Sequence, residues 1–278
     1  MTHTTPFVDR DPTSSEATIL MLAMSTYRDG TGQERESDGS TRPGWRDFER
    51  VFAEVLSGKA PENKDVFDVV VHGDPESNEY YGISLKSKQL ARKSAIGDLE
   101  YGGRVHMELA NSPAKFWAAL YQKGIREADY TAKSKATEIG ETLLEVVDQW
   151  HREAKVKYEK ENPSHNLVLE KSVYITVSYT KPDSDNNRYY QVHSFSLDLP
   201  RELKWEFISD RCLRAYDTRH EGEVVFDWYG LSGGQLKFYP KAIEGLYKTG
   251  QFTLMRPNNV SILDKAEAYW PEVWEEAA

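Results

Sequence analysis

The sequence predicts an α/β protein with a mixed central sheet flanked by helices and a β-rich C-terminal half. Three observations carry that expectation. Two β-rich runs, 65–72 and 80–88, flank a polar turn at 73–79 and read as a hairpin. Apolar residues recur at helical spacing over 45–58, 113–124 and 128–161. Beyond residue 170 the pattern turns to alternation, first over 172–179 and then over 188–197.

Taken in order, Thr13-Ser-Ser-Glu16 is a capping pattern ahead of the apolar run 17–24. That run is too short to cross a bilayer and no basic region precedes it, so it reads as a buried helix. Trp45, Phe48, Val51, Phe52, Val55 and Leu56 give an amphipathic helix ending near Gly58. In the hairpin, a turn centred near Glu76 pairs residues whose numbers sum to about 152, so Asp68 faces Ser84 and shares a sheet face with Ser84 and Lys86.

The stretch 104–109 reads as a third strand. Asn111-Ser112-Pro113 then starts a helix, with Gly124 past its end and Phe116, Trp117, Leu120 and Tyr121 on its core side. Residues 128–161 should form one long helix, or two broken near Gly140, ending before Asn162-Pro163. A polar turn at 181–187 joins the next two strands. Gly230-Leu-Ser232-Gly-Gly234 fits a nucleophile elbow, yet 235–240 looks like a strand and no histidine follows His220. It reads as a glycine-rich hairpin turn.

A chain of 278 residues is long enough to bury a substantial core as one domain. Its single cysteine, Cys212, excludes an internal disulfide and a cysteine-rich zinc site, and fits a reducing cytoplasm. Nucleotide-binding glycine loops and the His-Glu-x-x-His zinc pattern are missing from the sequence. A formal charge of −10 argues against a nucleic-acid partner, but charge is unevenly spread. Lys86, Lys88, Arg92 and Lys93 follow the hairpin, and Arg201, Lys204, Arg211, Arg214 and Arg219 cluster later.

The hairpin carries the chemistry. An acid, a hydroxyl and a lysine converge on one face of strands that are otherwise Val, Phe, Leu and Ile. A hard cation such as Mg²⁺ takes oxygen ligands and keeps several waters, so the Asp68 carboxylate and the Leu85 carbonyl suffice to hold it beside a phosphate. Lys86 then stands next to the attacking water or the charge that builds on the phosphate. The plainer reading is a solvated hairpin with a polar face, and it leaves an Asp and a Lys among apolar strands without a use.

Asp68 followed at hairpin distance by Ser84-Leu85-Lys86 resembles the PD-(D/E)XK nuclease signature, most often met in type II restriction endonucleases. No proline precedes Asp68, and Ser84 stands where the family usually has Glu or Asp. One branch carries Ser-x-Lys with the acid displaced past the lysine, and Glu100 lies at that distance, with Glu108 its rival. In nucleases of this fold a helix before the hairpin often adds a glutamate, here Glu54 first and Glu49 second. The resemblance implies a restriction-endonuclease-like core over about 44–180 and a β-rich DNA-recognition part over about 181–278 of one catalytic domain.

What the resemblance implies is a Mg²⁺-dependent endonuclease cutting double-stranded DNA at a specific short sequence. Cutting both strands of a palindromic site suits a homodimer. Lys88, Arg92, Lys93 and Lys115 are candidate phosphate contacts, and Arg188, Arg211, Arg214 and Arg219 are candidate base readers or structural ion pairs. Two other readings stay open: a repair or structure-specific nuclease of the same superfamily, and a DNA-binding module that keeps the fold without catalysis.

Overall fold

Local signals fix the first helices. In α1 (Ser14–Thr26) the Glu16 N–H donates to the Thr13 hydroxyl and the Thr13 N–H donates to the Glu16 carboxylate, a reciprocal capping box. A ribbon of β1 (Glu34–Arg35) and β2 (Thr41–Arg42) leads into α2 (Trp45–Val55). The Asp47 carboxylate fastens that helix by accepting from the Gly44 and Gln33 N–H groups.

The chain continues through β3 (Val69–His72), β4 (Glu79–Gln89), β5 (Met107–Asn111), α3 (Pro113–Gln122), α4 (Glu127–Thr131), α5 (Ala136–Glu161) and β6 (Asn166–Leu167). Strands β7 (Val173–Tyr179), β8 (Tyr189–Ser196), β9 (Leu203–Ser209), β10 (Cys212–Asp217), β11 (Val224–Trp228) and β12 (Gln235–Phe238) follow. Short strands β13 (Tyr247–Lys248) and β14 (Phe252–Thr253) and helices α6 (Ile262–Tyr269) and α7 (Pro271–Ala277) complete it. This computed structural model describes residues 8, 10–60, 66–73, 76–90, 103–220, 222–256 and 262–277.

The architecture is mixed α/β. The first sheet runs β13-β8-β7-β4-β3, with β14 also on β8 and β6 on β4. β3 and β4 are antiparallel, β4 and β7 parallel, β7 and β8 antiparallel. The crossover from β4 to the parallel β7 contains α5. A bridge from Lys59 to Val70 adds a further antiparallel stretch outside β3. The second sheet is antiparallel, in the order β5-β12-β11-β10-β9.

Pairing of Val69 with Ile83 and of Val70 with Gly82 gives the register read from the sequence. Val69, Val71, Tyr81 and Ile83 bury one face of the first sheet against Leu20 and Met24 of α1 and Phe48 and Phe52 of α2. The other face joins α3, α5 and the second sheet in a larger core that includes Tyr174, Phe195, Leu143, Phe226 and Trp228. Each such fully buried side chain stabilises the fold by about 1.5–3 kcal/mol.

Three expectations change. Residues 107–111 do form a strand, but it pairs with β12 in the second sheet and not with the hairpin. The two sheets therefore do not divide the chain near 180, because β8, β13 and β14 from beyond it join the first sheet and β5 from before it joins the second. The long helical stretch breaks at 132–135, where Lys133 and Lys135 take left-handed φ values of 54° and 55°, and α5 passes Gly140 unbroken. Glycine stands there because a Cβ would lie 2.1 Å from the Trp205 indole, which packs directly on the helix backbone.

Candidate active site

β4 outruns its partner. β3 pairs with it only as far as Val69–Ile83, while β4 continues to Gln89 along β7 on its other side. Past Ser84, one edge of β4 therefore has no described strand beside it. Asp68 sits at that opening. Its N–H donates to the Ile83 carbonyl at 2.9 Å, and its Oδ2 accepts the Leu85 N–H at 2.7 Å. The carboxylate replaces a ladder carbonyl. Because the N–H and C=O of a strand residue leave along the same edge, the Leu85 carbonyl also faces the opening.

Helix α2 closes the other side. Trp45, Phe48 and Glu49 line a cavity of about 140 Å³ together with Asp68, Leu85, Lys86 and Ser87. Burial pushes the Lys86 ammonium below its ordinary pKa, opposed by the carboxylates of Asp68, Glu108 and Glu49. Burial also raises the Asp68 carboxyl, opposed by Lys86 and by the Leu85 N–H. Both partners are held away from their comfortable charge states, as expected for groups desolvated in a cleft.

Behind Lys86, α5 contributes His151. Its Nε2 lies 2.9 Å from the Tyr174 hydroxyl and its ring stacks on Phe67 at 6.1 Å. Burial, with Lys86 and Arg152 nearby, lowers it to about 4, so the ring is neutral near pH 7. Just ahead of β5, His106 is also lowered to about 4 by burial and by Lys88 and Lys237.

The sequence candidates fall into three groups. Asp68, Lys86 and the Leu85 carbonyl come together as expected, and Glu108, exposed on β5, is among the acids acting on Lys86. Ser84 is 1 % exposed, is aligned with Tyr174 and does not line the cavity. Glu54 lies on the solvent side of α2, and Glu49 takes the cavity position. The helix period already separates them, since Glu54 stands about 180° around the helix from Trp45 and Glu49 about 40°. Glu100, Arg92 and Lys93 lie outside the described residues. His151 joins the site without a sequence signal, since nothing local distinguishes it from a core histidine.

Among the basic candidates, two are engaged inside the protein. Arg188 forms a fork with Glu36 at 2.6 and 2.8 Å and also donates to the Thr180 carbonyl. Arg214 forks onto Asp227, itself 2 % exposed, at 2.7 and 3.0 Å. These arginines serve the fold, because a buried carboxylate needs a fixed cation. Arg219 is exposed beside Asp217 at 3.2 Å. Lys88 and Arg211 are exposed without an ion pair among the described residues, and Lys115 lies 5.2 Å from the Trp150 ring centre.

A larger cavity of about 330 Å³ lies elsewhere, lined in part by Arg104, Phe195, Asp217, Val225, Phe238 and Lys241. Asp217, His220 and Glu223 bring three potential metal-binding atoms within 4.8 Å of one another at its rim. Their carboxylates already carry Arg219, Arg104 and Lys241, so ion pairs account for that cluster. The Asp68–Lys86 opening is the stronger candidate, because its groups are desolvated and Lys86 has no ion pair within 4 Å among the described residues.

Against known proteins, the chain matches no family model, no curated protein and no solved structure. No helix among the described residues is long and apolar enough to cross a membrane.

Proposed function

We propose that this protein is a Mg²⁺-dependent endonuclease that cuts double-stranded DNA at a specific short sequence and works as a homodimer. The observation that carries the reading is the meeting of Asp68, the Leu85 carbonyl, Glu49 and Lys86 at the open edge of β4. Supporting it is the order of strands around that edge: an antiparallel hairpin, a helical crossover, then a parallel strand. That succession, preceded by α2, is the arrangement expected of a restriction-endonuclease-like core.

The donor set fits a hard divalent cation. Asp68 Oδ2 holds the Leu85 N–H while Oδ1 has no hydrogen-bond partner among the described residues, and Glu49 and the Leu85 carbonyl add oxygens around the same cavity. A cation there supplies an activated water and charge for the phosphate. Lys86 does the rest of the electrostatics: its ammonium, held below its ordinary pKa by burial, offsets negative charge on the transferring phosphate. Glu108 faces Lys86 from β5 and is the described residue in the role of the displaced acid. Lys88, Lys115 and Arg211 are the described cations that suit phosphate contacts.

One feature favours the catalytically silent DNA-binding module as a second reading. Ser84 is buried where the family places an acid, so a complete acid pair depends on Glu49 or Glu108. The test is incubation of the purified protein with phage and plasmid DNA, with Mg²⁺ and with EDTA, beside Lys86→Ala. Discrete fragments that require Mg²⁺ and vanish in the variant are the expected result. Intact DNA with tight binding retained by Lys86→Ala would replace the endonuclease with the binding module. Sedimentation showing only monomer, free and on DNA, would remove the dimer.

A further inference from the structure

The larger cavity, of about 330 Å³, is lined by both sheets and shares no lining residue with the opening beside Asp68. Its volume is within the range of small-molecule sites. Phe195 from β8 and Val225 and Phe238 from β11 and β12 form apolar walls, joined by Leu199 from the link between β8 and β9. These four side chains are at most 5 % exposed.

Two cations of the lining stand side by side. Arg104 and Lys241 are the opposed residues of an antiparallel bridge that continues the pairing of β5 with β12, held by the Val105 N–H on the Pro240 carbonyl and the Ala242 N–H on the Gly103 carbonyl. Opposed residues share a face, and like charges in that position repel. A single carboxylate answers both: Glu223 Oε2 accepts from Arg104 at 2.7 Å and lies 2.7 Å from Lys241 Nζ. Arg104 is fixed further by donating to the Tyr239 carbonyl at 2.6 Å. One negative charge against two positive leaves a positive charge over, beside apolar walls. Lys241 offers three N–H donors, and Glu223 takes one. The remaining acids of the lining do not cancel that charge, because Asp217 is forked by Arg219 and the exposed Asp198 and Glu244 are screened by solvent.

We propose that this cavity binds a small organic monocarboxylate with a one- or two-ring apolar body, its head on Lys241 and Arg104 and its body against Phe195, Val225 and Phe238. A carboxylate suits the head because Glu223 already displays the geometry in which the two cations take one, and a second balances them. A doubly charged phosphate would reverse the sign. Charge-assisted hydrogen bonds are about twice as strong as neutral ones, so the head decides between ligands of similar body. The inference is independent of the endonuclease reading, since the two cavities have no lining residue in common and the measurements below use neither Mg²⁺ nor DNA.

The probe is 2-naphthoate, measured by equilibrium dialysis against the full chain beside its neutral isostere 2-naphthamide. The expected result is one site per chain, with the carboxylate bound about 10-fold more tightly than the amide or better. Lys241→Met should weaken 2-naphthoate by about 10-fold, and Val225→Phe, which fills space between the walls, should abolish its binding. Glu223→Gln should tighten it several-fold, because the variant removes the carboxylate that competes for the same two cations. A gain of affinity cannot come from misfolding. Equal affinity for the two probes overturns the carboxylate head, and so does unchanged or weaker binding of 2-naphthoate in Glu223→Gln. Absence of binding by either probe at millimolar concentration overturns the site, as does saturable binding that both Lys241→Met and Val225→Phe leave intact.

Discussion

Replacing Asp68 by Asn separates catalysis from folding. The carboxylate Oδ2 accepts the Leu85 N–H at 2.7 Å, and an Asn side chain offers an acceptor of the same size at the same place. What it loses is charge. Burial already raises the Asp68 carboxyl, so the fold does not gain from that charge except through Lys86 and the Leu85 N–H. The stability of Asp68→Asn should therefore stay within about 1 kcal/mol of wild type. Activity should not. A preorganised charge at the reacting phosphate is worth about 3–4 kcal/mol, so single-turnover cleavage with saturating Mg²⁺ should slow by about 10²–10³-fold. Urea unfolding is run beside the cleavage assay. A variant that cleaves at the wild-type rate, or one that loses cleavage only because it unfolds, would refute the assignment of Asp68.

Three other outcomes follow from the same geometry. Arg214→Met should lower unfolding free energy by about 3–5 kcal/mol in urea titration, because it removes the guanidinium forked onto the buried Asp227 carboxylate. Glu49→Gln should slow Mg²⁺-dependent cleavage by about 10-fold or more while Glu54→Gln changes it little, since only Glu49 lines the cavity. His151 and His193, both lowered to about 4 by burial from an ordinary 6.5, bind fewer protons folded than unfolded between those values. Their stabilising contribution is thus whole above pH 6.5 and lost as pH falls toward 4, by about 3 kcal/mol each at the acid limit, and urea midpoints across that range should flatten in His151→Phe.

The parts of this fold legible from sequence are those set by neighbours in the chain. The capping box at Thr13, the α2 stripe and the register of the hairpin all depend on residues within one or two turns or one tight loop. The unread parts depend on distant partners. Arg188 meets Glu36 across 152 positions, and no local signal distinguishes it from a free base reader. Arg214 and Asp227 are nearer, 13 apart, but only the pairing of β10 with β11 makes them neighbours. Gly140 looked like a helix break because glycine usually weakens a helix. Trp205 reverses that meaning by needing bare backbone under its ring. Glu49 and Glu54 are separable by the helix period, which places Glu49 near Trp45 and Glu54 on the opposite side of α2.

The lysines of β4 bear on whether the open edge is a site or merely a protected margin. Strand edges commonly carry lysines whose solvated charge discourages pairing with other chains. Lys88 fits that role, being exposed on the free part of the strand. Lys86 does not. It is half-buried, its charge is disfavoured by burial, and it lies in a cavity with Asp68 and Glu49 in place of solvent. Edge protection requires none of those features, and each of them costs stability that a hydrated lysine would keep. Two lysines on one face of one strand thus separate by environment. Lys86 is the residue whose properties call for a chemical use, and the acid near it belongs with it: Asp68 interrupts the ladder with its own side chain at the point where the edge opens.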